Sequence, residues 1–275
     1  MFRINWRHPA VAVAAVLAFA ATGAGGMALA TVGPAGPVPA AGVQWPGPIP
    51  ASGVHSRNFC GTQWKNVRPN GGVGYNIYND DFGARTCLFN DGNAGFVISR
   101  STANGGWVAF PNVSQGWEWG RSARHAPMYP VKMRDDGHPF SAIELHLINS
   151  GSWNAAYDMW FSTYPQKNGQ DNAAEVMIWL DCRNDCIGSN SPVVRIDGML
   201  FHEISWTTFH NGVSWRYTAF VMVFPHRTFR GWLNPFYRAA GVHPDWYLTS
   251  IDFGFELNVG GRGLAVNKYQ LGGVR

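Results

Sequence analysis

Asn172-Ala173-Ala174-Glu175-Val176-Met177-Ile178-Trp179-Leu180 reads as a β-strand with two unlike faces. At the two-residue period of a strand, Ala174, Val176, Ile178 and Leu180 point one way, and Glu175, Met177, Trp179 and Asp181 point the other. The first set is what a core accepts. The second sets a carboxylate beside an aromatic in mid-strand, where charged groups are avoided unless paired or used.

Two further segments repeat the pattern. Leu248 to Glu256 (LTSIDFGFE) alternates, with Ile251, Phe253, Phe255 and Leu257 inward and Ser250, Asp252, Gly254, Glu256 and Asn258 on the opposite face. Trp153 to Ser162 places Ala155, Tyr157, Met159 and Phe161 on one face and Asn154, Asp158, Trp160 and Ser162 on the other. A Pro165–Gly169 turn separates this strand from Glu175, which predicts an antiparallel hairpin with Asp158 beside Glu175 on one face. Neighbouring carboxylates of this kind couple their titrations. Glu175 and Glu256, one per strand, are the expected catalytic pair.

Composition agrees with an all-β chain. The 275 residues include 33 Gly and 13 Trp, only 14% are charged, and the formal charge is +4. That describes a turn-rich, aromatic-rich β-protein of one large domain. The positive charge forms no basic run, so a nucleic-acid partner is not expected. No Gly-x-Ser-x-Gly elbow, phosphate loop, dinucleotide fingerprint or internal repeat is present.

The N-terminus carries Arg3, Arg7 and His8, an apolar stretch from Ala10 to about Ala21, and Ala28-Leu29-Ala30. This is the layout of a secretory signal over residues 1–30, with an uncleaved membrane anchor as the alternative. Residues 31–54, rich in Pro, Gly and Ala, read as an extended linker, leaving 55–275 as the folded domain. Four cysteines in an exported chain favour two disulfides, and the closely spaced Cys182 and Cys186 favour local pairing. No His sits at ligand spacing from the cysteines, so no metal is expected.

Taken together, Glu-Val-Met-Ile-Trp (Glu175 to Trp179), Phe-Gly-Phe-Glu (Phe253 to Glu256) and Ala-Tyr-Asp-Met-Trp (Ala156 to Trp160) resemble the signature strands of glycoside hydrolase family 12. The likeness runs from about Cys60 to Leu271 and keeps the family's order of elements. It implies a two-sheet antiparallel β-jelly-roll with one short helix, and retaining endo-hydrolysis of β-1,4-glucans without a cofactor. Glu175 is then the nucleophile, Glu256 the acid/base, and Asp158 a hydrogen-bonding support for Glu175. Met177 and Trp179 then line the central subsites, and Cys60 pairs with Cys87. Trp160, which shares the carboxylate face with Asp158, reads as a cleft residue beside them. A retaining enzyme needs its two carboxyls about 5–5.5 Å apart, so that one attacks while the other protonates the leaving oxygen. The expected partner is cellulose, mixed-linkage glucan or xyloglucan, bound by a monomer.

Two departures from the family pattern bear on substrate contact. The family's Asn-Asn-x-Trp-Gly turn reads Asn79-Asp80-Asp81-Phe82-Gly83 here, so Phe82 offers a smaller ring face and Asp80 replaces an amide with a charge. Asn258 stands where the family tends to have an aromatic.

Other features have weaker readings. Trp107, Trp117 and Trp119 are candidate sugar-stacking residues, while Trp215 alternates with core positions and reads as structural. Glu118, Glu144 and Glu203 are rival carboxylates, and Asp252 either tunes Glu256 or is a solvated strand charge. Asn112-Val113-Ser114 matches a glycosylation acceptor, and Thr228 to Ala240 reads as the one helix. A non-catalytic glycan-binding protein on the same scaffold, and a jelly-roll xylan hydrolase, are the alternative functions.

Overall fold

A computed structural model describes residues 58–273 except 119, 128, 136–137, 168–172 and 211. The signal, anchor and linker expectations, and Trp119, lie outside the described residues. Among those described there are nineteen strands and one α-helix. The smaller sheet runs β1 (Asn58–Cys60), β4 (Thr86–Phe89), β5 (Phe96–Ser101), β19 (Ala265–Gly272), β10 (Phe140–His146), β16 (Thr228–Trp232). The larger runs β13 (Val193–Ile196), β14 (Met199–His210), β15 (Val213–Met222), β12 (Ala174–Arg183), β11 (Ser152–Ser162), β17 (Tyr247–Gly254), β7 (Asn112–Glu118), β3 (Tyr75–Tyr78), β2 (Trp64–Val67). Strand β18 (Leu257–Gly260) pairs with both β11 and β6 (Ala103–Ala109) at the end of the larger sheet. Neighbours are antiparallel except β12 and β15, which run parallel. This is the expected two-sheet jelly roll.

The inward faces predicted from the alternation are the buried ones. Tyr157, Met159 and Phe161 on β11, Val176, Ile178 and Leu180 on β12, and Ile251 and Phe253 on β17 are all fully buried between the sheets. The helix α1 (Asn234–Ala239) drives Phe236 into this core, with ring centroids 5.1 Å from Phe201 and 5.7 Å from Phe220. Removing a ring so placed costs about 3–5 kcal/mol.

The predicted helix over Thr228 to Ala240 needs correction. Its first half is β16, in which Phe229 and Gly231 are buried while Thr228 and Arg230 are exposed, a two-residue period. The helix begins only at Asn234-Pro235, where proline suits the first turn.

Both disulfides are formed. Cys60 and Cys87 are register partners across β1 and β4, flanking the β2–β3 hairpin, and Cys182 and Cys186 close a loop after β12.

Candidate active site

The outer face of the larger sheet, turned away from the core, carries the chemical residues in rows set by strand register. One row crosses Trp206, Tyr217, Glu175, Trp160 and Ser250. The next crosses Ile204, Ala219, Met177, Asp158, Asp252 and Ser114. The third crosses Val221, Trp179, Ala156, Gly254 and Asn112. Asp158 and Glu175 therefore share a face as expected, as diagonal rather than directly opposite neighbours.

Glu175 and Glu256 are half-buried, in contact with solvent, while Asp158, Asp252 and Glu118 are buried at 8%, 0% and 1% exposure. That difference separates groups able to meet a substrate from groups beneath it. Burial, the Asp158 charge and the Glu256 charge all push the Glu175 carboxyl well above the usual range. One hydrogen bond works against them: Trp215 Nε1 donates to Glu175 Oε2 at 2.7 Å. Asp158 is not hydrogen-bonded to Glu175 here. Its Oδ2 accepts from Trp160 Nε1 at 2.8 Å, its Oδ1 is buried without a partner, and it acts on Glu175 through its charge.

Glu256 does not sit in mid-strand. Strand β17 ends at Gly254, and Phe255 and Glu256 form a two-residue break before β18. The cause lies opposite. Gly254 pairs with Asn112, the first residue of β7, and Pro111 before it has no N–H to continue the ladder. Pro111 O instead accepts the Phe255 N–H at 3.1 Å. A Cβ on Gly254 would lie 2.4 Å from that same oxygen, so only glycine allows the approach. Asn154 then clasps the released segment. Its N–H donates to Glu256 O at 3.1 Å, its side-chain amide donates to Glu256 Oε2, and its Oδ1 accepts from Glu256 N at 3.4 Å. Burial raises the Glu256 carboxyl above its ordinary range, and the Asn154 donor opposes the shift.

Met177 and Trp179 lie on this face at 2% and 3% exposure, as floor rather than open wall. Tyr217, buried beside them, donates to Met177 Sδ at 3.2 Å, and the charges of Glu256, Glu175 and Asp158 reinforce burial in raising its hydroxyl. Trp107 reaches the same floor, with its ring centroid 6.3 Å from that of Trp179. Trp117 instead donates to Tyr129 O at 2.6 Å and packs on the core.

The Asn79–Gly83 turn is pinned by its own side chains. Asp81 accepts from Thr86 N at 2.9 Å and Thr86 Oγ1 at 2.8 Å, and the Phe82 and Gly83 N–H groups donate to Val108 O. Asp80 takes a left-handed φ of 41°, which Asp tolerates. Burial and the adjoining Asp81 charge push its carboxyl up to about 7, against a hydrogen bond from Tyr78. Its charge adds to the rise that burial imposes on the Glu118, Asp158 and Asp252 carboxyls.

Three readings of the sequence change. Trp215 touches Glu175 and is not merely structural; the pattern of β15 held the signal, since Trp215 and Tyr217 alternate with Arg216 on the side facing Glu175. Asp252 is no solvated strand charge, being fully buried directly opposite Asp158. Asn112 is fully buried, with its amide donating to Phe110 O and Glu118 Oε1, so it is not exposed as a glycosylation acceptor. Among the rival carboxylates, Glu144 is on the smaller sheet paired with Lys268, and Glu203 faces away from Trp206 on β14. Asn258, on β18, ties rather than stacks: Oδ1 accepts from Gly106 N, and the amide donates to Asp185 in the Cys182–Cys186 loop.

A jelly roll with paired, half-buried carboxylates on the outer face of one sheet is the frame of a glycoside hydrolase, and residues 99–272 match glycosyl hydrolase family 12. The chain belongs to glycosyl hydrolase family 12. Endoglucanase S of Pectobacterium parmentieri is 25% identical over 161 residues, covering 54% of this chain and 60% of that enzyme. Probable cellulase Cel12b of Mycobacterium tuberculosis is 30% identical over 135 residues, covering 47% of this chain and 86% of the relative. The solved structure of endoglucanase cel12A from Rhodothermus marinus superposes with a TM-score of 0.68 at 27% identity, covering 78% of this chain and 97% of the other. This family 12 chain is therefore an enzyme, a glycoside hydrolase.

Proposed function

We propose that this family 12 enzyme is a retaining endo-β-1,4-glucan hydrolase. The observation that carries the reading is the contrast between Glu175 and Glu256, which meet solvent, and the carboxylates buried beneath them. Both reach solvent above a buried floor, and each is held by one donor, Trp215 or Asn154. Two carboxyls in one another's field resist ionising together, which favours a state in which one is ionised while the other keeps its proton.

In the first step Glu175, ionised and held by Trp215, attacks the anomeric carbon. The glycosidic C–O bond breaks as Glu256 gives its proton to the departing oxygen, leaving a glycosyl ester on Glu175. In the second step Glu256, now ionised, takes a proton from water, the water oxygen bonds to the anomeric carbon, and Glu175 leaves as carboxylate. Beneath the site, burial raises the carboxyls of Asp158, Asp252 and Glu118 above the ordinary range. Two disulfides and the basic-apolar N-terminus support action outside the cytoplasm.

Reducing-sugar release from carboxymethylcellulose, barley β-glucan and xyloglucan, with E175Q as control, tests the reading. Release that disappears in E175Q is the expected result, and the preferred polymer identifies the substrate. Equal release by wild type and E175Q would rule out the assignment.

A further inference from the structure

One aromatic pair on the outer face of the larger sheet is not used by the carboxylate chemistry. Trp206 on β14 lies directly opposite Tyr217 on β15, which lies directly opposite Glu175 on β12. Two strand spacings, about 10 Å, separate Trp206 from Glu175 along that row. The Trp206 and Tyr217 rings stack at 4.2 Å between centroids and 30° between planes. Tyr217 is 7% exposed and fixed below, whereas Trp206 is 45% exposed above it. Trp64 at the other end of the sheet makes a useful contrast. It stacks on Tyr78 at 3.8 Å, and the Arg121 guanidinium stands 5.4 Å from its ring centre. Among the described residues, no cation stands over Trp206.

An isolated exposed tryptophan needs no explanation. This one is held at a fixed tilt by a buried tyrosine, has Ile204 and Thr208 as flanking residues on its own face, and is in line with Glu175. We propose that Trp206, seated on Tyr217, is a sugar-binding platform for the β-1,4-glucan chain at the end of the cleft remote from Asp80 and Phe82. The proposal rests on the glucanase reading of the site. A β-linked glucopyranose holds its hydroxyls equatorial and turns only C–H groups to either ring face, which matches the flat, electron-rich face of an indole. Because the platform is displaced from the carboxylates, it adds affinity only for chains long enough to span both. It thus sets a preference for polymer over short oligosaccharide.

The test is calorimetric titration of cellotriose and cellohexaose into E175Q, which cannot turn them over, and into E175Q carrying W206A or W206F. We expect W206A to weaken cellohexaose binding about ten-fold while leaving cellotriose nearly unchanged, and W206F to retain most of the affinity. Equal cellohexaose affinity with and without the W206A change would overturn the platform alone. So would a similar loss for both lengths, which marks a structural effect passed through Tyr217. Binding of neither sugar by E175Q would remove the glucan as occupant and the glucanase reading with it.

Discussion

Trp215 Nε1 donates a 2.7 Å hydrogen bond to Oε2 of Glu175. The two residues come from adjacent parallel strands, so the donor is fixed by sheet register and not by a loop. Burial and the Asp158 charge favour the protonated form of Glu175, and this donor favours the ionised one. Attack requires the ionised form. Trp215→Phe should therefore lower kcat/KM by about 10- to 100-fold and move the acidic limb of its pH profile to higher pH. A reduced rate with an unmoved acidic limb would show that the indole acts by packing alone.

Asn154 does for Glu256 what Trp215 does for Glu175. Its amide donates to Glu256 Oε2, opposing the rise that burial imposes on that carboxyl. In Asn154→Ala the acid should hold its proton to higher pH, so the alkaline limb of kcat/KM shifts upward. The rate at the optimum should fall by roughly 10-fold as Glu256 loses its orientation. A pH profile on barley β-glucan measures both.

Gly254 bears on the same carboxyl through the backbone. An added Cβ would stand 2.4 Å from Pro111 O, against backbone that cannot move without disturbing β7. Gly254→Ala should destabilise the fold by about 2–4 kcal/mol and displace Glu256, with activity lost even where the protein remains folded. Thermal unfolding followed alongside turnover separates the two effects.

Much of this was legible in the sequence, and the limits have physical causes. The alternation in β11, β12 and β17 assigns Glu175, Asp158 and Asp252 to one face, because a strand's two-residue period is local. Whether a face meets water is not local. Asp252 and Asn112 read as exposable residues, yet the neighbouring strands β11, β7 and β3 close over them. Trp215 reads as structural because its role depends on β15 pairing parallel to β12, a long-range register that no turn announces. The break that frees Glu256 is set by Pro111, far away in sequence.

Asp252 and Asp158 face each other directly, both buried and both with carboxyls raised well above the ordinary range. A carboxyl whose folded-state pKa is raised contributes stability that is fully present below its unfolded value, near 4, and lost as pH rises through the folded value. The loss should set in above about 4, run to about 6 for Asp81 and about 7 for Asp80, and extend to higher pH for the deeper groups. The melting temperature should thus fall on the alkaline side. Asp252→Asn, which resembles the protonated acid, should reduce that fall by roughly 3 °C or more at pH 9. Parallel wild-type and variant curves across pH 5–9 would contradict this assignment of the charge.

The assignment of Glu175 as nucleophile is tested most directly by trapping the glycosyl-enzyme. Incubation with an activated 2-deoxy-2-fluoro-cellobioside, followed by peptide mass spectrometry, should place one added cellobiosyl mass on the peptide containing Glu175 and inactivate the enzyme in step. A label on a different carboxylate, or steady turnover with no label on Glu175, would contradict the double-displacement mechanism and the site built around it.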